Sequence, residues 1–199
     1  MQIKVSRNPI DVKDASGGSF IGSSGVYPVT LDFVSLEQTK QGAITFNLNV
    51  DYNGSKQTIY GNTIFNKDES VNKIGMELLN KLLVIAGLPD DYEISTETEN
   101  HKVGKDQVSK EFNVIPELSG VKIQVQVKEV VSRYNGEITR NLEIYNFFNE
   151  DGASASELVA YETDKNIVKG TQLSKILERP GTKETLYRDN KGTNEADLS

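Results

Sequence analysis

Apolar and polar residues take turns along the first third of the chain. Tyr27, Val29, Leu31 and Phe33 fall on one face of an extended segment, and Pro28, Thr30 and Asp32 on the other. That two-residue period is the mark of a half-buried strand. A polar turn from Glu37 to Gly42 follows. Ile44, Phe46, Leu48, Val50 and Tyr52 then face inward, with Thr45, Asn47, Asn49 and Asp51 outward. Asn53-Gly54 provides two residues that tolerate positive φ, as a tight hairpin turn requires. A third strand over residues 56–65 completes an antiparallel meander.

The period then lengthens. Val71, Ile74, Leu78, Leu82 and Ile85 recur at helical spacing, and Met76, Leu79 and Leu83 widen the stripe. Asp68 or Ser70 is the expected cap, and Gly87 followed by Pro89 the expected stop. Residues 90–116 are polar and read as a long connection, of a length that tends to be functional or mobile. Alternation returns with Val121, Ile123, Val125 and Val127 set against Lys122, Gln124, Gln126 and Lys128. Asn135-Gly136 marks a second hairpin, and a fifth strand reaches Phe148. Leu158, Val159 and Tyr161, then Ile167 and Val168, then Leu173, Ile176 and Leu177 predict one or two short helices, stopped by Pro180-Gly181.

These elements predict a mainly β chain with one central helix, in the order β-β-β-α-β-β. A five-stranded OB-fold barrel has this order, with the helix plugging one end between the third and fourth strands. A different small α+β sheet and a sandwich lacking strands share it. The expected organisation is a flexible Gly/Ser-rich N-terminal arm (residues 1–25), the OB domain (26–150), a short helical C-terminal appendage (151–181) and a polar, disordered tail (182–199).

Composition narrows the chemistry. With 36% hydrophobic residues the chain can build a core. It has no Cys and one His, His101, so a disulfide framework and a Cys-based zinc site are excluded. The net charge is −7, from 22 basic and 29 acidic residues. Between His101 and Arg140 seven basic residues face five acids, which makes that segment +2 and the remainder −9. The N-terminus has no apolar core of a secretory signal, and the longest apolar stretch, Leu78 to Leu88, is interrupted by Asn80 and Lys81. A soluble cytoplasmic protein without a membrane partner is expected.

Catalytic motifs are lacking. Gly104-Lys105 is followed by Asp106 and has no phosphate loop before it, and there is no H-E-x-x-H. Asp90-Asp91 lies in a turn; Asp32, Asp51, Glu129 and Glu143 are scattered over the strands. His101 reads as a solvated loop residue. The expectation is a non-enzyme with no cofactor and no metal.

Several stretches resemble a known family. Ser24-Gly25-Val26-Tyr27-Pro28-Val29 opens the first strand, and Thr39-Lys40-Gln41-Gly42 precedes the second. The helix closes on Ala86-Gly87-Leu88, Leu118-Ser119-Gly120-Val121-Lys122 leads into Gln124-Val125-Gln126-Val127, and Tyr134-Asn135-Gly136 precedes an aromatic cluster near Phe147. Over residues 24–150 the chain resembles the OB-fold single-stranded DNA-binding proteins of tailed bacteriophages. The resemblance implies sequence-independent binding of single-stranded DNA in phage replication or recombination, in the host cytoplasm. It also implies contact with replication or recombination proteins through the C-terminal segment. Family members commonly end in a strongly acidic tail, whereas the last eight residues here hold only Glu195 and Asp197.

Single strands are held by stacking bases on aromatic faces over a positive groove. The aromatic candidates are Tyr60 and Phe65 on the third strand, Tyr134 beside the second hairpin, and Tyr145, Phe147 and Phe148 on the fifth; burial in the core is the alternative for most of them, whereas Tyr134, next to a turn, is expected to be exposed. Phe147 and its neighbour Phe148 cannot both face inward on a regular strand. The basic candidates are Lys122 and Lys128 on the polar face of the fourth strand, Arg133 and Arg140 around the second hairpin, Lys40 in the first turn, and Lys102 and Lys105 in the long connection; Lys110 belongs to the same stretch. Solvation of a strand face accounts for any one of them taken singly. A protein-interaction or assembly module, or an inhibitor of a host protein, is the alternative on the same fold.

Overall fold

A computed structural model of the chain describes residues 20–103, 107–134 and 137–189, apart from the side chains of Tyr134 and Asp189. It is mainly β and antiparallel. The strands are β1 (Gly25–Gln38), β2 (Ile44–Tyr52), β3 (Ser55–Ile59), β4 (Thr63–Phe65), β5 (Glu97–Val103), β6 (Val108–Val114), β7 (Lys122–Tyr134), β8 (Glu137–Asn149) and β9 (Leu186–Asp189). The helices are α1 (Lys73–Ile85), α2 (Ala155–Thr163) and α3 (Thr171–Glu178).

β1 is the hub. One edge pairs with β2 from Thr30 to Gln38. The other edge pairs first with β7, from Gly25 to Thr30, and then with β6 at Ser35 and Leu36. β2 continues to β3 and β4, and β7 to β8. Among the described residues no ladder joins β3 to β8, so the sheet stays open there.

The register of β1 against β2 slips between Leu31 and Phe33. Val29, Leu31 and Val34 therefore face the main core, while Phe33 turns to the opposite face and packs with Phe112 and Val114. The simple alternation from Tyr27 to Phe33 fails at this bulge, because one extra residue inverts the side-chain faces that follow. A second slip, at Gln126–Val127, leaves Tyr145 as the unpaired residue of β8. Ile144 and Phe147 consequently both enter the main core. Phe148 is fully buried as well, outside that cluster, where its backbone bridges to Ser154.

The expected third strand breaks at Tyr60–Asn62 into β3 and β4, and the expected long connection contains a complete hairpin, β5–β6. The capping residue of α1 is Asn72, whose Oδ1 accepts from the Gly75 N–H at 3.1 Å, in place of Asp68 or Ser70. The buried stripe of α1 runs through Gly75, Leu78, Leu79, Leu82, Leu83 and Ile85, and Val71 and Ile74 remain exposed. Gly75 is obligatory: a Cβ there would lie 1.8 Å from the Thr63 carbonyl oxygen.

The C-terminal region is more ordered than its composition suggests. Glu157 closes a capping box with Ser154 at the start of α2. The same carboxylate accepts N–H bonds from Gly170 (3.1 Å) and Gln172 (2.8 Å). It thus takes up free donors at the start of α3, whose own cap, Gly170 at φ +83°, has no side chain to offer. The expected disordered tail begins too early: Thr182 is buried, and β9 pairs in parallel with β7. Residues 190–199 lie outside the described residues, as does most of the expected N-terminal arm, residues 1–19. The end of that arm is packed: Ile21 belongs to the main core and its N–H donates to Gln57 Oε1 at 2.8 Å.

Two outcomes follow. Gly75→Ala forces α1 off β4 and should cost about 3 kcal/mol, the upper range for overpacking; chemical denaturation measures it. Burial pushes the Glu157 carboxyl up, but bonds from Ser154, Gln172 and Gly170 outweigh it and hold it below its ordinary value. Its contribution is therefore complete above the ordinary carboxylate range and is lost as pH falls through the depressed value. The protection factors of the α2 and α3 amides, exchange rates taken relative to the intrinsic rate at each pH, should fall on acidification, and Glu157→Gln should show that loss already at neutral pH.

Candidate functional site

A concavity lies between the outer face of β1–β2–β3 and the β5–β6 hairpin, with a volume of about 460 Å³. The slip at Leu31–Phe33 creates it. Beyond that point Phe33, Ser35 and Glu37 face outward, opposite Asn49, Asn47 and Thr45 of β2. The hairpin is anchored over this face by Phe33 and Phe112, whose ring centroids are 5.1 Å apart. His101 stacks flat on Phe33 at 3.8 Å and bonds Glu99 at 2.6 Å. The solvated loop expected at His101 is in fact a strand whose imidazole is half buried against the sheet.

The floor is a polar network. Glu37 accepts from Ser35 Oγ (3.0 Å), Asn47 Nδ2 (2.9 Å) and Lys110 Nζ (2.9 Å). Burial pushes this carboxyl up, yet the bonds from Lys110, Asn47 and Ser35 prevail and hold it below the usual range. Asn47 Oδ1 accepts in turn from the Gly61 N–H at 3.0 Å. A Cβ on Gly61 would lie 1.7 Å from the Phe46 carbonyl oxygen. Only glycine permits this approach, which fixes the backbone beside Tyr60.

The walls carry charge and an aromatic ring. Tyr60 lines the groove and is 75% exposed. Lys102 is exposed on the hairpin side and has no acidic partner among the described residues. Lys56 and Lys110 line the groove too, each 2.9 Å from an acid, Asp32 and Glu37. Lys110 also sits 4.5 Å over the Phe112 ring. These exposed pairs are weak, of about 0–1 kcal/mol, and exchange readily for another anion.

Of the expected site residues, Tyr60 and Lys102 thus meet in one groove. Lys40 is exposed in the β1–β2 turn. Lys122 is exposed above a separate hollow, with Nζ 3.5 Å from Glu150. Arg133 is exposed near the tip of the β7–β8 hairpin, and Arg140 pairs with Glu129 at 2.8 Å. Tyr145, 41% exposed, lines a third hollow with Arg188, which forks onto Glu143 at 2.5 and 2.9 Å. The side chain of Tyr134 and all of Lys105 lie outside the described residues.

Two assignments are corrected. Phe147 is completely buried in the main core, so its ring has no face free for a base. Lys128 is 8% exposed, and its ammonium donates to the carbonyls of Gly181 and Glu184. It fastens the C-terminal segment to β7. Ser24 Oγ donates to the Glu184 carbonyl at 2.8 Å, and Thr185 Oγ1 donates to Glu129 at 2.7 Å, along the same seam.

Sequence reading passed over Lys56, whose signal was its place just after the Asn53-Gly54 turn. Lys110, expected with Lys102 and Lys105 to fold over bound DNA from the long connection, does line the groove. Among the described residues no three His, Asp or Glu gather as metal ligands, and no helix is long and apolar enough to cross a membrane. The four strand carboxylates serve different partners: Asp32 holds Lys56, Asp51 the Gly54 N–H, Glu129 Arg140 and Thr185, and Glu143 Arg188. Comparison with known proteins finds no family model that matches the chain and no curated protein similar to it.

Lys128→Met removes the buried ammonium and keeps its aliphatic bulk. It should expose residues 180–189 to limited proteolysis several-fold faster while the melting of the main core changes little. Unaltered cleavage would show that the seam holds without it.

Proposed function

We propose that this chain is a single-stranded DNA-binding protein on an OB-type barrel. In this reading β1–β2–β3, α1 and β7–β8 form the barrel, and the β5–β6 hairpin is an insertion ahead of β7. OB-folds bind oligonucleotides on the face of their second and third strands, and the groove lies on that face here. The observation that carries the reading is the convergence, from distant parts of the chain, of the exposed Tyr60 ring and the Lys102 ammonium, which has no acidic partner among the described residues, on one concave surface. A base stacks on Tyr60. Phosphates meet Lys102 and displace Asp32 and Glu37 from Lys56 and Lys110. Such binding reads no sequence through the backbone and suits strand protection during phage replication or recombination.

A protein-interaction module is the second reading, favoured by the mixed charge of a groove in which two of the lysines already hold acids.

Fluorescence titration with oligo-dT over a salt series tests the proposal. Affinity should fall as salt rises, and duplex of equal length should bind more weakly. Tyr60→Ala should lower affinity about tenfold with the salt slope unchanged, since stacking releases no ions. Lys102→Ala should lower affinity and reduce the slope by about 0.7. A parent protein that ignores oligo-dT, or binds duplex equally well, excludes the nucleic-acid reading.

A further inference from the structure

The link between β3 and β4 is a ridge with a concave surface on each side. Tyr60 lines the groove, and Asn62 lines the third hollow, of about 270 Å³. One residue of backbone, Gly61, separates the two. The ridge is held in place: the Gly61 N–H donates to Asn47 Oδ1 at 3.0 Å, and the Asn62 carbonyl accepts from the Phe46 N–H at 3.2 Å. A polymer lying on Tyr60 reaches the hollow by crossing a glycine, which raises no side chain in its path.

Tyr145 and Arg188 give the hollow two flat faces. The slip at Gln126–Val127 leaves Tyr145 without a cross-strand partner, and bulges of this kind re-aim a side chain. Its ring is exposed while Ile144 and Phe147 enter the core. Both terminal nitrogens of Arg188 donate to Glu143, which holds the guanidinium plane in one orientation, and the side chain stays half exposed. The charges cancel pairwise, Arg188 against Glu143 and Lys81 against Glu77 at 2.8 Å. The hollow therefore attracts phosphate weakly and offers instead a ring and a fixed guanidinium plane on which a base stacks.

Arg188 arrives on β9, a strand of four residues paired in parallel with β7. The seam of Lys128, Ser24 and Thr185 keeps that strand in place. We infer that the hollow is a second base-stacking subsite for the single strand held in the groove, complete only while β9 is docked, so that strand binding and closure of the C-terminal seam reinforce each other. The inference rests on the single-strand reading above. A ligand that touches Arg188 binds the docked form better than the undocked one, and by reciprocity docking raises the affinity for that ligand by the same factor. Lys128 is buried under the seam and acts on the hollow only by positioning β9.

The experiment titrates the full chain with oligo-dT in lengths from about 4 to 16 nucleotides, the range that one OB-fold covers. The lysines of the groove hold the shortest strands, and the longest cross Gly61. Tyr145→Ala should weaken the longest about tenfold, leave the shortest within about twofold and keep the salt slope. Lys128→Met should weaken the longest several-fold and spare the shortest, although its side chain touches no DNA. In the parent, a saturating amount of the longest strand should slow proteolysis of residues 180–189 several-fold, and the shortest should not. That measurement needs no variant and decides alone if a variant fails to fold. Equal effects of Tyr145→Ala on short and long strands, an unaltered affinity of folded Lys128→Met for the longest, or no protection of residues 180–189 overturns the second subsite and leaves the groove reading intact. Absence of binding at every length overturns the single-strand reading and this inference with it.

Discussion

A one-residue slip in the register of β1, beside Asp32, decides how the molecule is built. A strand that alternates strictly can give its apolar residues to one face only. β1 gives Val29, Leu31 and Val34 to the main core and Phe33 to the opposite side. The hairpin β5–β6 has few apolar residues and could not pack on a wholly polar face. Phe33 is the anchor that Phe112 and Val114 grip. Without the slip there is no second cluster, no hairpin over the sheet and no groove between them.

The same inversion places Ser35, Asn47 and Asn49 under cover. Buried polar groups destabilise a fold unless paired, and here most are paired with one another or with Glu37. The result is a floor in which nearly every donor has an acceptor, beneath walls that carry the exposed ammonium groups of Lys56 and Lys110.

Much of this frame was legible in the residue pattern. The alternation in β2 and β7, the Asn53-Gly54 turn and the stripe of α1 each follow from local chemistry, and each is present. What was illegible depended on contacts between distant segments. Glu97 to Val103 carries no apolar period, so nothing local marks it as a strand; its partner β6 and the Phe33 anchor make it one. Lys128 looks like a solvated strand lysine until Gly181 and Glu184 arrive to accept its protons. Phe147 and Phe148 required one exposed ring, or a strand that bulges or has ended, and the residue pattern could not choose among these. A bulge at Tyr145 and the bridge to Ser154 allow both to be buried. Of the residues put forward as ligand contacts, Tyr60, Lys102 and Lys110 are those among the described residues that meet in the groove, because they lie on segments that the bulge in β1 brings together.

The seam along β7 bears on the order in which the chain assembles. Ser24 reaches Glu184 across 160 residues, and β9 joins β7 in parallel, the pairing that no hairpin can deliver locally. Contacts of such separation form late, because a long loop must close before they reward it. On a ribosome the strands β1 to β8 emerge first, with the Lys128 ammonium still bathed in water and the edge of β7 open at Val130–Arg133. For that interval the protein has an unprotected strand edge, available to the β9 segment of any neighbouring nascent copy.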